Sequence, residues 1–69
     1  MYKAYVHVEF EDYDSNFWEQ VIFRVFETEQ EALDYIASPE SVRTIEPNDP
    51  FIRYIRYEPT GAWAPLYEE

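Results

Sequence analysis

Two stretches near the amino terminus alternate between hydrophobic and polar positions. From Tyr2 to Glu11 the even-numbered residues are apolar or aromatic and most odd-numbered residues are polar, which is the period-2 pattern of a half-buried strand. The run from Phe17 to Phe26 is β-branched and aromatic and predicts a second, antiparallel strand. Residues 12–16 between them favour turns. The pattern therefore predicts a β-hairpin.

The period changes after the second strand. Thr28-Glu29-Gln30-Glu31 fits a capping box, in which the threonine hydroxyl accepts from the Glu31 N–H and Glu31 reaches back to the Thr28 N–H. Apolar residues follow at helical spacing. Ser38-Pro39 ends the pattern, because a residue before proline is pushed away from helical dihedral angles. One short helix is predicted.

The last third predicts two more strands. Residues 42–46 form a short candidate strand, residues 47–50 a strong turn signal, and residues 51–58 a second alternating run. Pro59-Thr60-Gly61 is expected to end that strand, leaving residues 59–69 as a Pro/Trp-containing tail that docks back through Trp63 and Leu66. We predict one domain over residues 1–69 with an α+β fold: a small antiparallel meander sheet, β-β-α-β-β, with one helix packed on one face.

A single short helix covers one face of such a sheet. The other face is expected to expose aromatic and aliphatic side chains that serve as a dimer seam or partner site. We assign to this face Tyr5, Trp18, Ile22 and Tyr54.

Composition supports a surface role for some of the aromatic residues. Fourteen of the 69 residues are Phe, Tyr or Trp, more than one small core can hide. There is no cysteine, which excludes disulfides and thiolate chemistry and favours a reducing cytoplasm, or the host cytoplasm for a viral protein. We see no signal peptide or membrane-spanning run and expect a soluble protein with no membrane partner.

Charge changes the picture most. The formal net charge is −10, with ten acids against two bases in residues 1–40 and five against three in residues 41–69. Such a balance disfavours direct binding to nucleic acid and favours a partner with a basic surface. Carboxylates on a rigid scaffold imitate DNA phosphates, whereas the alternative interpretation is solubility alone. The predicted partner-binding acidic face comprises Glu9, Glu11, Asp12, Asp14, Glu27, Glu29, Glu31 and Asp34.

Candidate chemistry is sparse. His7 is the only histidine, a potential base or metal ligand, but it has no second His, Cys or Ser near it in sequence. Asp12-x-Asp14-x-Asn16 resembles the start of a calcium loop, yet Phe17 replaces the required glycine, so an acidic turn is the better interpretation. The single glycine excludes a Gly-rich phosphate loop. We therefore predict no enzyme activity, no catalytic residues, no metal site and no cofactor.

The segment from Phe51 to Tyr57 interleaves aromatic residues with two arginines, as single-strand nucleic-acid platforms do. The net charge opposes that function, and cross-strand Tyr–Arg pairing explains the pattern equally well.

The favoured hypothesis is a non-enzymatic acidic protein that blocks a basic, nucleic-acid-binding surface of a larger protein. In size and charge the chain is similar to small phage inhibitors or DNA mimics, although no motif identifies a family. The alternative is a small homodimeric structural or accessory module, and the two hypotheses are compatible. A third hypothesis is that the chain is an enzyme subunit whose active site is completed by a partner.

Overall fold

The computed structural model describes residues 1–67, which form four strands, one α-helix and a short 3-10 turn over Pro39–Ser41. In chain order the elements are β1 Tyr2–Asp12, β2 Phe17–Phe26, α1 Glu29–Ala37, β3 Arg43–Ile45 and β4 Ile52–Pro65. The predicted α+β fold, with an antiparallel sheet and one helix, is confirmed.

The strands β1 and β2 form a long hairpin. Their pairing runs without a register shift from Tyr2 opposite Phe26 to Glu11 opposite Phe17. Asp12 closes the hairpin, because its main-chain N–H donates to the Asn16 carbonyl at 3.0 Å. The strand and turn predicted for this part of the chain are confirmed.

The sheet order is β2-β1-β4-β3, which differs from that of a simple meander. The helix α1 carries the chain from the outer strand β2 across one face of the sheet to β3 at the other edge. The returning strand β4 then pairs with both β3 and β1. Residue alternation does not predict the order of strands in the sheet. It shows only which side of a strand contacts the core, not which strands are its neighbours.

The strand β4 continues well beyond its predicted end. Pro59, Thr60 and Gly61 do not terminate it; the register against β1 shifts between Ala4 and Val6, and pairing then resumes as far as Pro65. The turn-forming residues make an irregularity within a strand, where Gly61 adopts a φ of +90° and Thr60 Oγ1 donates to the Tyr5 carbonyl. Most of the predicted tail is therefore sheet, and residues 68–69 lie outside the described residues.

The helix α1 begins as predicted. The Glu31 N–H donates to Thr28 Oγ1 at 3.2 Å, and Thr28 Oγ1 donates in turn to Glu31 Oε1 at 3.1 Å. The reciprocal contact of the capping box is thus made with the hydroxyl group of Thr28 rather than with its N–H. At the other end, the Ser38 N–H donates to the Asp34 carbonyl and Pro39 follows.

The core lies between α1 and the even-numbered residues of β1. Ala4, Val6, Val8 and Ala32 are at most 1% exposed, and none of these side chains is larger than valine. The molecule measures 41 × 29 × 18 Å, a thickness that accommodates the sheet and one layer of helix. We call the sheet face opposite α1 the open face. Within residues 1–67, none of the helices has the length and apolar character needed to cross a bilayer.

Candidate functional site

The four residues predicted as a dimer or partner face lie on two sides of the sheet. Ile22 is paired with the buried Val6, so it lies on the helix side, and Trp18, four positions away on the same strand, lies there too. Tyr5 and Tyr54 lie on the open face. The prediction that these four residues share one face is wrong, because directly paired residues of two strands point to the same side.

The hairpin register contains the signal that would have corrected this assignment. The turn pairs Asp12 with Asn16, so every even-numbered residue of β1 faces an even-numbered residue of β2. A one-residue difference in turn length would have reversed the faces of β2.

The outer strand β2 exposes apolar side chains on the open face. Val21, Phe23 and Val25 are 59%, 50% and 42% exposed. Phe23 packs edge-on against Tyr5 at a ring distance of 6.4 Å, and the Lys3 ammonium lies 5.4 Å from the centre of the Phe23 ring. These three residues form an exposed apolar strip on the open face.

On the helix side, Trp18 stacks on Phe10 with ring centres 5.4 Å apart and remains 40% exposed. The predicted interaction residues Trp18 and Ile22 therefore belong to the outer part of the helix side, near the free edge of β2.

A cluster of ionisable side chains lies beside the apolar strip. His7 Nε2 is 2.6 Å from Glu19 Oε2, and His7 Nδ1 is 3.6 Å from Glu9 Oε1. Register explains the cluster, because Glu9 and Glu19 are directly paired across β1 and β2. Glu19 is twelve residues from His7 in sequence, and only the hairpin register brings the two residues together, so the alternation within β1 alone does not predict this contact.

His7, Glu9 and Glu19 are possible metal ligands, because their ligand atoms lie within 4.8 Å of one another. Tetrahedral zinc at about 2.1 Å from each ligand needs ligand atoms about 3.4 Å apart, whereas His7 Nε2 and Glu19 Oε2 are 2.6 Å apart, at hydrogen-bond distance. The closest carboxylate contacts also involve opposite nitrogens of the ring, so one ion at Nε2 would meet Glu19 and leave Glu9 to orient the imidazole. This arrangement fits a hydrogen-bonded cluster better than a closed metal site.

The arginines of β4 are engaged by acids of the open face. Arg56 Nη1 is 2.9 Å from Glu58 Oε2 and 4.0 Å from Glu9 Oε2, and the hydrogen bond to Glu58 raises the pKa of the Arg56 guanidinium. Arg53 Nη1 is 3.6 Å from Glu11 Oε2. These ion pairs occupy the cations of the aromatic-and-arginine segment, so it is poorly suited to track phosphates.

The eight predicted partner-binding acids form two groups. Glu9, Glu11, Asp12 and Asp14 lie towards or at the hairpin tip. Glu27, Glu29, Glu31 and Asp34 lie at the start and on the exposed side of α1, which follows the opposite end of the hairpin. A single continuous acidic face does not follow from this placement.

Asp12 is occupied by its own turn. Its Oδ1 accepts from the N–H groups of Asp14 and Asn16 at 2.9 and 2.8 Å, and its Oδ2 accepts from Asn16 Nδ2 at 2.9 Å. The side-chain bond from Asn16 is the main reason that the pKa of the Asp12 carboxyl is lowered. The carboxylate is directed at the backbone, as expected for an acidic turn rather than a calcium loop.

A cavity of about 350 Å³ lies where α1 meets the 3-10 turn, and its lining combines basic, acidic and hydroxyl side chains. Arg24 lies 5.8 Å from the centre of the Tyr35 ring, and Ser41 Oγ donates to the Tyr35 carbonyl at 2.6 Å. The lining residues are Arg24, Asp34, Tyr35, Ser38, Glu40, Ser41 and Arg43. Two cations and two anions face the same space, so the cavity has no net preference for either charge.

Comparison of the chain with protein-family models, curated proteins and solved structures gives no match. The arrangement of side chains must therefore carry the functional argument alone. It offers carboxylates around α1 without a cationic partner among residues 1–67, an apolar free edge on β2, and the cluster of His7, Glu9, Glu19 and Arg56 on the open face.

Proposed function

We propose that this domain is a non-enzymatic binding protein that uses the acids around α1 to occupy a basic, nucleic-acid-binding surface of a larger protein. The observation that carries the proposal is the state of Glu27, Glu29, Glu31 and Asp34. All four are exposed, and among residues 1–67 no basic side chain lies within ion-pair distance of them.

The remaining predicted acids are less available to a partner. Glu9 and Glu11 face Arg56 and Arg53, and Asp12 is used by its turn. Negative charge that is already paired contributes little to the attraction of a basic surface. The α1 acids are therefore the expected contact, and Asp14 at the exposed hairpin tip is a secondary one.

The spacing of Glu31 and Asp34 supports imitation of a phosphate backbone. These two residues are three apart on α1, so their Cβ atoms lie about 5–6 Å apart, which is of the same order as the phosphate spacing along a nucleic-acid strand. Hydrogen bonds hold both of these carboxylates in place. The Glu31 carboxylate accepts from Thr28 Oγ1, and the Asp34 carboxylate accepts from Gln30 Nε2 at 2.8 Å. Pre-ordered charges lose less conformational freedom on binding. A phage-type inhibitor or DNA mimic acting in the host cytoplasm fits these properties.

Binding rather than catalysis is also favoured by the setting of the one histidine. His7 and its carboxylate neighbours lie on a sheet face without a covering layer, whereas a catalytic acid–base pair needs a desolvated pocket that holds substrate.

The experiment is affinity capture from a lysate of the source or host cell on immobilised domain, followed by washes of increasing salt. A phosphate-mimicking contact weakens as salt rises, and duplex DNA releases the captured protein because both compete for one basic site. Capture that is indifferent to salt, or a captured protein that binds DNA and this domain together, would contradict the proposal.

A homodimeric accessory module is the second candidate function, and the small core favours it. The largest fully buried side chains are Val6 and Val8, so packing in the single chain is thin for an independent domain. Sedimentation over a wide concentration range tests this candidate, and a monomer at every concentration would rule it out.

A further inference from the structure

The outer strand β2 lacks the usual protection of a sheet edge. It spans ten residues with no proline, no lysine and no register shift. Its two charged residues, Glu19 and Arg24, have opposite charges, so the strand carries no net charge. Native proteins commonly block such edges with charges, prolines or bulges, because free N–H and C=O groups template pairing with another strand. At the other edge, β3 has three residues, and the loop that follows contains two prolines.

The hairpin geometry determines which backbone groups are free. Asp12 and Asn16 form a hydrogen-bonded pair, and in an antiparallel ladder such pairs alternate with non-bonded ones. Even-numbered residues of β2 therefore bond to β1, and the N–H and C=O groups of Glu19, Val21, Phe23 and Val25 point away from the sheet. The Tyr5 carbonyl accepts from Thr60 of β4, as this alternation requires for an odd-numbered residue of β1.

The single chain exposes more surface than its size predicts. Its accessible area is 5084 Å² for a mass of 8.4 kDa, whereas a compact monomer of that mass exposes about 4,600 Å². Apolar side chains of β2 contribute to the surplus, since Phe17, Trp18, Val21, Phe23 and Val25 are all at least 40% exposed.

We propose that a second copy of this chain pairs with the free edge of β2, antiparallel and about a two-fold axis at Val21, to give one continuous eight-stranded sheet. This inference rests on the homodimer given above as the second candidate function. A two-fold axis perpendicular to the sheet keeps both helices on the same side, and it pairs odd-numbered residues of one copy with odd-numbered residues of the other, whose N–H and C=O groups are free.

Side-chain chemistry selects the Val21 register. On the helix side it places Trp18 opposite Arg24 of the second copy, a cation–π pair. On the open face it places Glu19 opposite Phe23 of the second copy, whose ring lies 5.4 Å from the Lys3 ammonium of that copy. Each contact occurs twice across the two-fold axis.

A second copy that stacked on the open face would instead bury the network of His7, Glu9 and Arg56, which costs the solvation of several charges. Edge pairing leaves His7, Glu9 and Arg56, which lie on β1 and β4, in water, and brings only Glu19 of the cluster to the contact. A strand of this length is about 33 Å long, so the contact covers on the order of 1,000 Å² in total, near the lower limit of specific interfaces. The dimer is therefore expected at high micromolar concentrations.

The first test substitutes Val21 with proline, which removes an outward N–H and is tolerated at an edge strand. Val21→Thr, which retains the N–H, is the matched control. In sedimentation equilibrium at several hundred micromolar, we expect twice the 8.4 kDa chain mass for the native protein and V21T, and the chain mass for V21P with unchanged circular dichroism. A native protein that remains monomeric overturns the homodimer itself. A folded V21P that remains dimeric overturns edge pairing and leaves the dimer standing.

The second test does not depend on V21P folding. The chain has no cysteine, so Val21→Cys introduces a single thiol that meets its symmetry mate about 5.5 Å away at Cα, within disulfide range. In Val25→Cys, on the same strand and face, the two thiols would lie more than about 20 Å apart. Mild oxidation should link most of V21C and little of V25C on non-reducing gels. Equal linkage of both variants, or none in V21C while it still dimerises, overturns the Val21 register.

Discussion

Individual acids in this chain have different roles despite their similar chemistry. Asp12 was predicted to contact a partner, but its carboxylate accepts three hydrogen bonds within its own turn. Glu9 and Glu11 contact arginines, whereas Glu29 is exposed and unpaired among the described residues. A count of acids predicts the charge of the molecule, but only contacts separate structural carboxylates from available ones.

Asp12→Asn is expected to lower the melting temperature by a few degrees at pH 7. The substitution replaces one carboxylate oxygen with an NH₂ group, which cannot accept the hydrogen bond from Asn16 Nδ2. The native carboxyl has a pKa below its ordinary value of 3.8. Its stabilising contribution is therefore complete above pH 3.8 and is lost as pH falls through the lower, folded value. In thermal unfolding at successively lower pH from pH 7, the difference in melting temperature between the two proteins should shrink as the Asp12 carboxyl becomes protonated.

Asp14→Asn is the control for that measurement. It removes the same charge from the same turn, and the Asp14 N–H still donates to Asp12. We expect a melting temperature close to that of the native protein. Equal losses in the two variants would show that charge, rather than the Asp12 hydrogen bonds, governs the stability of the turn.

At the scale of elements, local patterns predicted what local forces determine. Alternation over residues 2–11 and 17–26 and the capping box at Thr28 gave β1, β2 and α1 with ends within one residue of those observed. The extension of β4 past Pro59 was not predicted from the sequence. The glycine lies in a bulge, and pairing with β1 continues on both sides of it in spite of the turn propensity of these residues. The faces of Trp18 and Ile22 depended on register across the turn, which alternation within one strand does not specify.

Thr28→Ala is expected to destabilise the domain by about 1 kcal/mol, because it removes the acceptor for the Glu31 N–H and the donor to the Glu31 carboxylate. For a domain of this size that loss corresponds to a fall of about 4–8 °C in melting temperature. Circular dichroism during heating measures it. Thr28→Ser keeps the hydroxyl and should retain most of the stability; an equal loss in both variants would mean that the cap contributes little.

For the whole molecule we propose two kinds of interaction surface. Unpaired acids surround α1 on one side of the sheet, and the free, nearly neutral edge of β2 lies at its margin. These surfaces do not compete, so a dimer joined through β2 would present both α1 helices on the same side. Such a dimer would bind a partner with two basic sites more tightly than either chain alone.

Two charge variants compared in the capture experiment test whether the α1 acids contact the partner. The α1 variant carries Glu29→Gln, Glu31→Gln and Asp34→Asn, and glutamine still serves in the capping box. The control variant carries Glu40→Gln, Glu46→Gln and Asp49→Asn, beyond α1. Each set removes three acids and changes the formal charge from −10 to −7.

Both variants are expected to fold, as judged by circular dichroism. If the α1 acids contact the basic partner, the α1 variant should lose at least about tenfold in affinity for the captured protein, since three charge contacts at about 0.5–1 kcal/mol each are removed. The control variant should lose about twofold or less through its change in net charge alone. Equal losses in the two variants would contradict the proposed role of the α1 acids, because the attraction would then come from net charge rather than from a site on α1.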